Sequence, residues 1–465
     1  MRHCKLPGIL AATLGAATSC VFAGQQVTPI VLEGDSIAGV GAVNFINNIA
    51  VNNDGHWFVE VDTDFSNTDE DVVLLDPNGV FLREGFGGLS APPGVIIDSF
   101  DSVTLNDLGI GGFNHFIDPL PGDQDSGVYL GTTLAIQESD ISTSPDFSAG
   151  TVYTGFLDVK INDNNDLLVV ASVDDPAISS TTDRALVIVS GATETVIAKE
   201  GDVPPGQTEA VTDFGTGPHQ SAFNDMGDVF YFVDLGGATS TDDGVLYLNS
   251  TIIAQEGSPS PVAGRNYEFL SSRGIGLNNN GSTVFKANLT GDSADDEVII
   301  VDGAVFKREG EAPPVPGSFA LTSFGTGSGP VHISDNGRVL WFGDWDDPNT
   351  DVDTGLFLDD QLLVQEGVTT VGGVVVDAIS SGADAFFISD NGEWVIFEAT
   401  LVGGVDGAFL INVQNPADLD GDGDVDGADL AALLSQWGGP GTADLNGDGV
   451  VNGADLAQLL AAWTG

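Results

Sequence analysis

The chain has 465 residues, of which 42% are hydrophobic, and its 69 acidic residues against 12 basic ones give a formal net charge of −57. The apolar residues gather in short runs, which excludes a disordered chain and predicts packed domains. So large a negative charge repels nucleic acid and anionic lipid, and it excludes both as ligands.

Residues 1–23 have the pattern of a secretory signal peptide. Arg2 and Lys5 form a short basic region, residues 6–18 an apolar run, and residues 21–23 a small-residue cleavage site before Gly24. This apolar run and the later ones are too short to span a bilayer. The sequence therefore predicts a secreted, extracellular or cell-surface protein with no membrane span.

Both cysteines lie in this predicted leader. Cys20 is a candidate for lipid attachment. However, a lipobox favours Leu three residues before the cysteine, and residues 17–19 of this chain match that motif poorly. We therefore favour cleavage after Ala23. Because Cys4 is lost with the leader as well, the exported chain is expected to hold no disulfide.

Residues 24–413 contain seven repeats, each marked by a turn of the form Asn/Ser-x-x-Gly. The turns begin 54 to 62 residues apart, at Asn52, Asn106, Asn162, Asn224, Asn278, Ser334 and Ser389. The third turn has Asn165 where the others have Gly, and both residue types tolerate the left-handed backbone of a tight hairpin. An aromatic or β-branched run follows each turn, as a strand requires.

A glutamate at the end of a short strand is the second landmark of the repeat. It occurs at Glu33, Glu84, Glu138, Glu200, Glu256, Glu309 and Glu366. We interpret each as a structural group that accepts backbone N–H bonds in the tight turn after its strand. The alternative is a ring of carboxylates that binds calcium or acts on glycans, but a catalytic pair is asymmetric, and these residues repeat.

Four short strands fit within each period, for example residues 275–277, 283–288, 298–301 and 304–307. Periods of this length with four strands favour a β-propeller over a solenoid. The last repeat ends with a third strand at 407–413, whereas the chain starts with an unpaired strand at 29–33. The sequence thus predicts a mainly β fold, a seven-bladed propeller whose N-terminal strand completes the last blade.

The strand before each turn alternates large and small residues, as tapered blades around an axis require. Lys160 and His332 stand where Ala50, Thr104, Ala222 and Gly276 keep the position small. The repeat resembles the tandem NxxGxxxF family of secreted bacterial proteins, whose consensus residues are matched by Asn278, Gly281 and Phe285. That family has no established activity, so the resemblance implies an architecture and no chemistry.

Residues 414–465 contain two acidic loops with the ligand spacing of an EF-hand. Side-chain oxygens stand at positions 1, 3, 5, 9 and 12, a backbone carbonyl at position 7 and Gly at position 6, with Asp replacing the usual Glu at position 12. The predicted ligands are Asp418, Asp420, Asp422, Asp424, Asp426 and Asp429 in the first loop, and Asp444, Asn446, Asp448, Val450, Asn452 and Asp455 in the second. The spacing predicts two calcium ions, each loop leading into a short apolar helix at 430–437 or 456–463. The two helices are expected to pack through the side chains of Leu430, Leu433, Leu434, Trp437, Leu456, Leu459, Leu460 and Trp463.

This tandem resembles a dockerin, the calcium-folded module that attaches secreted proteins to a cohesin receptor, and in particular the dockerin-type tails of planctomycete-like bacteria. The resemblance covers residues 416–465 and implies a small α-helical domain with a cohesin-like or cell-surface receptor as partner. Cellulosomal dockerins carry a hydroxyl pair where this chain has Gly427-Ala428 and Gly453-Ala454. The resemblance therefore implies calcium binding by these loops, but it does not imply binding to an ordinary cohesin.

Catalytic candidates are few. His219 and His332 enter equivalent strands two repeats apart and could converge as a metal or acid–base pair, although two satisfied polar side chains is the favoured interpretation. Asp158, two residues before Lys160, is a carboxylate without a counterpart in the other repeats, and it is therefore a further catalytic candidate. The alternative and favoured interpretation is a local ion pair with Lys160. The remaining histidines, His56 and His115, have no partner motif.

Two functions are consistent with these observations. The first is a non-catalytic propeller that binds or presents a glycan or protein ligand and is tethered through its calcium-dependent tail. The second is a glycan-active enzyme of the glycoside hydrolase type in polysaccharide breakdown, because dockerins commonly accompany such hydrolases. A pair of carboxylates in the central channel, at positions where the other repeats have different residues, would favour the enzyme.

Overall fold

The computed structural model describes residues 27–176, 183–215, 217, 219–237, 242–271, 273–413, 416–420, 425–446 and 449–463. The predicted signal peptide and three predicted ligands, Asp422, Asp424 and Asp448, lie outside the described residues. Neither described helix is long and apolar enough to cross a membrane.

The described strands form seven antiparallel sheets, and each sheet is one blade of a β-propeller. The chain starts with β1 (Val27–Leu32), which belongs to the last blade. Blade I comprises β2 (Ser36–Ile37), β3 (Gly41–Val51), β4 (Trp57–Thr63), β5 (Val72–Asp76) and β6 (Gly79–Arg83). Blade II comprises β7 (Ile96–Leu105), β8 (Gly111–Asp118), β9 (Ser126–Leu130) and β10 (Thr133–Gln137). Blade III comprises β11 (Val152–Ile161), β12 (Leu167–Asp174), β13 (Arg184–Ser190) and β14 (Thr193–Lys199).

In the remaining blades the innermost strand is interrupted, so that two shorter strands replace it. Blade IV comprises β15 (Val211–Phe214), β16 (Ser221–Phe223), β17 (Val229–Leu235), β18 (Gly244–Leu248) and β19 (Thr251–Gln255). Blade V comprises β20 (Tyr267–Phe269), β21 (Ile275–Leu277), β22 (Thr283–Leu289), β23 (Glu297–Val301) and β24 (Ala304–Arg308). Blade VI comprises β25 (Leu321–Ser323), β26 (His332–Ile333), β27 (Val339–Trp345), β28 (Thr354–Leu358) and β29 (Gln361–Gln365). Blade VII comprises β30 (Thr370–Val371), β31 (Val374–Ile379), β32 (Phe386–Ile388), β33 (Trp394–Leu401) and β34 (Val405–Asn412).

The N-terminal strand closes the ring, as the sequence predicted. β1 pairs antiparallel with β34, and Val31 lies opposite Ala408. Val31 is buried with residues of blades I and VII, including Val59 and Ile396. The predicted strands of blade V also agree with β21–β24 to within one residue at each end.

The Asn-x-x-Gly turns link neighbouring blades, which explains why asparagine repeats there. Asn52 Nδ2 donates to the carbonyl of Asn106 in the next blade at 3.0 Å, and Asn106, Asn162, Asn224 and Asn278 continue the chain of bonds. Asn391 completes the ring by donating to the carbonyl of Asn53 at 3.3 Å. The fourth turn residue is left-handed, with φ of 71° at Gly55 and 63° at Asn165. This belt of turns fixes one end of the propeller.

Apolar side chains pack between adjacent blades. Between blades I and II, for example, Phe58 and Leu74 pack with Phe113 and Tyr129, all at most 1% exposed. Each blade thereby buries both of its faces, so the sheets hold the channel wall in a fixed position.

Two short helices follow the propeller. They are α1 (Gly427–Ser435) and α2 (Gly453–Ala461), and each begins three residues before its predicted start. The early starts follow from capping boxes, because Asp426 and Asn452 accept the N–H of Ala428 and Ala454. The two helices share a small core that includes Val425, Leu433, Val451 and Leu459.

Candidate functional site

The axis of the propeller contains a cavity of about 440 Å³. Residues of all seven blades line it, including Asn48, Asp101, Asp158, His219, Gly276, His332 and Asp384. A ligand site on the axis is therefore possible, since this volume lies within the usual range for small-molecule sites.

Asp158 and Lys160 project from β11 into this cavity as an ion pair. Lys160 Nζ lies 3.0 Å from Asp158 Oδ1, and the hydroxyl of Ser221 on β16 donates to Asp158 Oδ2 at 3.3 Å. The predicted local ion pair is thus present. It also belongs to the axial cavity, where the Asp158 side chain is only 4% exposed.

His219 and His332 converge in the cavity, with ring centroids 5.4 Å apart. The backbone N–H of Asp384 donates to His219 Nε2 at 3.3 Å, and Asp384 Oδ1 lies 3.5 Å from the same nitrogen. His332 Nε2 donates to the carbonyl of Phe386 at 2.9 Å. Both imidazoles therefore have protein partners, and three blades meet at this point.

Two carboxyl groups of the cavity have pKa values displaced in opposite directions. Burial raises the pKa of Asp158 even though Lys160 lies beside it. Burial opposes ionisation of Asp384, but the neighbouring His219 imidazole, together with the Lys160 ammonium, holds its pKa below the usual range. Burial and the nearby His219 lower the pKa of His332 to about 3, so its ring is neutral. Burial also raises the pKa values of Asp101 and Asp390, which line the same cavity, so Asp384 is the stabilised carboxylate among carboxyl groups that gain a proton more readily.

Asp384 was missing from the sequence-based candidates. It lies five residues before the turn residue Ser389, and Asp101 and His219 stand at the same offset before Asn106 and Asn224. Aligning the repeats at that offset would have found all three. The strands β32 and β16 start too late to include Asp384 and His219, so a search of strand patterns passes over the position.

The repeated glutamates lie away from the axial cavity, which supports their structural interpretation. Glu84 and Glu138 accept the N–H of Val72 and Ser126, and Glu309 accepts that of Glu297. These donors lie at the start of β5, β9 and β23, the strands that precede each glutamate's own strand, and not in the turn after it. The prediction that these glutamates accept backbone N–H bonds is therefore confirmed. The predicted donors were wrong, because the glutamate side chain points across to the neighbouring strand.

In the tail, three of the predicted calcium ligands meet. Ligand oxygens of Asp418, Asp420 and Asp429 lie within 4.8 Å of one another. Asp429 accepts the N–H of Leu419 and of Asp426, both at 2.7 Å. Burial opposes its ionisation, but these backbone bonds hold the pKa of Asp429 below its usual value. An all-oxygen, ionised donor set fits a hard cation such as calcium.

The second loop has the same geometry at its last position. Asp455 accepts the N–H of Asn452 at 2.7 Å and of Asn446 at 3.1 Å, and backbone bonds again lower its pKa. Asp444 accepts the N–H of Gly449 at 2.7 Å, across the sharp turn. The predicted ligands Asp426 and Asn452 are helix N-caps, which places them at the junction of loop and helix.

The helices bury fewer side chains than the sequence predicted. Leu433 and Leu459 are fully buried, and Leu430 and Leu456 pack against them. Four side chains expected in the same core are 38% to 53% exposed: Leu434, Trp437, Leu460 and Trp463. The prediction was wrong for these four because nine-residue helices present only one narrow face to each other.

The fold and cavity define the class as a seven-bladed β-propeller with a charged axial channel. Residues 15–252, which are 238 of the 465 residues, match the model of the Family of unknown function (DUF7453), and the chain belongs to that family. A search of curated protein sequences finds no match.

Several solved structures are similar at low sequence identity. The β-propeller domain of the Trilobed protease from Pyrococcus furiosus is 8% identical with a TM-score of 0.36, covering 70% of this chain and 85% of that one. A Trypanosoma rangeli sialidase is 10% identical with a TM-score of 0.33, covering 72% and 58%. Polysaccharide lyase Uly1 is 12% identical with a TM-score of 0.30, covering 56% and 57%. Similarities of this size assign no function to this chain.

Proposed function

We propose that the protein is an exported propeller that binds a small ligand in its axial cavity without transforming it, and that a calcium-dependent, dockerin-like tail tethers it to a receptor. One observation carries the binding role: charged side chains that break the repeat, from different blades, meet in one cavity. Scaffold residues repeat around the ring, whereas Asp158, Lys160 and His219 each occur at their position in one blade only, and the position of Asp384 holds aspartate in one other blade, at Asp101. The volume suits a small molecule and is too small for a folded protein.

The tail supports tethering through the chemistry of its ligands. Asp418, Asp420 and Asp429 would hold the first ion, and Asp444, Asn446 and Asp455 would contribute to the second. A bound calcium ion neutralises the crowded carboxylates and links the start of each loop to its helix. The exposed Trp437 then offers an aromatic contact to a receptor such as a cohesin-like or cell-surface protein.

Binding is tested with the full calcium-loaded chain on an array of glycans and other small ligands. Asp384→Asn and Lys160→Met should each change the affinity for a charged ligand held in the cavity, in opposite directions, because one removes a negative charge and the other a positive charge from its wall. Asp202→Asn, on an exposed loop, is the matched control and should bind as the wild type does. Unchanged affinity in both cavity variants would place the ligand elsewhere on the propeller.

A glycan-active hydrolase is the second candidate, and one observation favours it. Asp158 and Asp384 share the cavity, and their surroundings displace their pKa values in opposite directions, as in a general acid and base pair. Assays on pooled plant and algal polysaccharides should show no new reducing ends if the protein only binds. Release of reducing ends that is lost in Asp158→Asn or His332→Ala would make it an enzyme.

A further inference from the structure

The axial cavity continues toward the turn end of the propeller as a second, smaller cavity of about 90 Å³. The two cavities share lining residues, namely Val51, Leu105, Ile161, Phe223, Leu277 and Asp390. They are therefore neighbouring parts of one channel along the axis, and a long ligand could occupy both.

An apolar collar separates the two parts. The residue immediately before each turn residue is apolar in every blade: Val51, Leu105, Ile161, Phe223, Leu277, Ile333 and Ile388. All seven line the larger cavity, and five of them also line the smaller one. A segment of ligand that passes the collar meets hydrocarbon on all sides, so hydrophobic burial favours an apolar segment there.

Carboxylates lie on both sides of this collar. On the wide side are Asp101, Asp158 and Asp384, with Lys160 as the cation among the lining residues. On the turn side are Asp107, Asp163, Asp225 and Asp390. Both parts of the channel therefore carry more negative than positive charge, which favours a cationic ligand over an anionic one.

The turn-side carboxylates are held in place and repel one another. Oδ1 of Asp163 accepts the N–H of Asp107, and Oδ1 of Asp225 accepts that of Asp163, both at 2.7 Å. Solvent reaches Asp390 along the channel, yet protein surrounds it, and this crowding together with the neighbouring carboxylates raises its pKa to about 7. Burial and the same neighbours raise the pKa of Asp107 to about 6. A positive charge placed among these groups would relieve the repulsion.

The channel carboxylates are spread along the axis, unlike those of a metal site. Among the described residues, the carboxylates whose oxygens converge within 4.8 Å are in the tail, at Asp418, Asp420 and Asp429. Asp158 lies three residues before the end of β11 at Ile161, which corresponds to roughly 10 Å of extended strand, and Asp163 follows in the turn. An elongated cation matches this spacing, whereas a single inorganic ion does not.

We propose that the channel binds a linear aliphatic diamine or polyamine, which resides with one ammonium group among the wide-side carboxylates, its methylene chain in the collar and another ammonium among the turn-side carboxylates. This assignment rests on the proposed function, which makes the channel a ligand site. It names the ligand class: a long chain with positive charges at both ends. No covalent step is involved.

The test measures binding by calorimetry with the full calcium-saturated chain at about 150 mM salt, where attraction to the acidic surface is screened. The probes are spermidine, 1,8-diaminooctane and n-octylamine, which has the same chain with one charge only. Spermidine and diaminooctane should each bind with a stoichiometry of one, and octylamine should bind at least about tenfold more weakly, since it leaves one set of carboxylates unpaired.

The turn-side contact is tested with Asp225→Asn. This variant keeps the acceptor oxygen for Asp163, and the ring already holds asparagine at the equivalent positions Asn53 and Asn279. It should therefore fold and lose at least about fivefold in affinity for diaminooctane, with little change for octylamine. Leu277→Asn should weaken both probes through the collar, and the exposed-loop variant Asp202→Asn should change neither.

Equal affinity for diaminooctane and octylamine, or many weak sites unaffected by Asp225→Asn, would overturn the proposal. So would the absence of any amine binding. If amines do not bind but another ligand binds and depends on Asp384 and Lys160, the assignment to amines fails while the proposed function stands. If the cavity variants change the binding of no ligand at all, both fail together.

Discussion

The propeller and the tail gain their stability in different ways. Each seam between blades contains its own apolar cluster, and the belt of turns joins neighbouring blades around the axis. The tail has two nine-residue helices and one cluster whose buried members are Ala417, Val425, Leu433, Ala443, Val451 and Leu459. Isolated helices of fewer than about 12 residues are marginal in water.

This difference indicates what each region needs in order to fold. The propeller buries enough apolar surface to be stable without a ligand, provided that the ring is closed. The tail directs carboxylates of Asp418, Asp420 and Asp429 at one another and has little core to oppose their repulsion. Its folding is therefore expected to depend on calcium, whereas that of the propeller is not.

The largest effect is expected from opening the ring. Deleting residues 24–35 removes β1, exposes an edge of β34 and uncovers the cluster that contains Val31. We expect a loss on the order of 5 kcal/mol from the lost burial and hydrogen bonds, and a melting temperature lower by about 10 °C or more. A chain that begins at residue 27 and keeps β1 is the control. Melting within a degree or two of that control would contradict closure by β1.

The second effect concerns the predicted calcium sites of the tail. Asp429→Ala and Asp455→Ala each remove the last predicted ligand of one loop, so calorimetric titration should find one calcium ion per chain in each variant and two in the wild type. Asp429→Asn, which keeps an oxygen for the backbone N–H groups, should also bind one. Gln458→Ala on the exposed face of α2 is the control. Two ions bound to all of these variants would show that the loops are not the sites.

The third effect is a loss of folding stability at acid pH that is caused by a buried histidine of the propeller. His115 is fully buried among Phe113, Phe100 and Tyr129, and burial lowers its pKa from 6.5 to about 3. As the pH falls from about 6.5 toward 3, the unfolded chain binds a proton that the folded chain does not, so the folded state loses stability. At pH 4.5 this amounts to about 3 kcal/mol.

His115→Leu should therefore be less sensitive to acid than the wild type, as measured by urea unfolding at pH 7 and pH 4.5. The control is His56→Leu, because the His56 side chain is 30% exposed. An equal loss of stability on acidification in His115→Leu and in the wild type would refute this assignment.

The smallest effect is expected at alkaline pH. Glu398 Oε1 is buried and has no hydrogen-bond partner among the described residues, and burial raises the pKa of this carboxyl from 4.5 to about 8. The folded chain holds a proton that the unfolded chain has lost between these values. This stabilisation is present at low pH and disappears as the pH rises through about 8.

Glu398→Gln should consequently lose less stability between pH 6 and pH 9 than the wild type, by on the order of 1 kcal/mol because part of the side chain is solvated. Glu209→Gln, on an exposed loop, is the control. If the free energy of unfolding falls equally with pH in the wild type and in Glu398→Gln, the carboxyl at this position is not buried in its neutral form.

Much of the propeller could be predicted because its architecture repeats. The turn at Asn278 and the strand ends at Glu309 recur at regular spacing, and the unpaired strand that contains Val31 indicated how the ring closes. The role of asparagine in the turns could not be predicted, because its Nδ2 bond reaches a residue more than 50 positions away in the next blade.

Only some residues of the axial site could be predicted, for a related reason. Lys160 and His332 were noticed because they break the alternation of large and small residues. His219 was noticed because it enters a strand equivalent to that of His332, and Asp158 because it is an asymmetric carboxylate near Lys160. Asp384 lies in a loop before a three-residue strand, so its contact with His219, 165 residues away, arises only when the ring closes. In the tail, the two short helices could be predicted from the sequence, but the exposure of Trp437 could not, because it depends on how the helices pack.

Differential scanning calorimetry of the exported chain, with calcium and with a chelator, tests the difference between propeller and tail most directly. With calcium we expect two transitions, a large one from the propeller and a small one from the tail. With chelator the small transition should vanish, and circular dichroism should lose the helical signal of α1 and α2, while the large transition moves by no more than a few degrees. A tail transition that is unchanged by the chelator, or a propeller transition that disappears with it, would contradict the account.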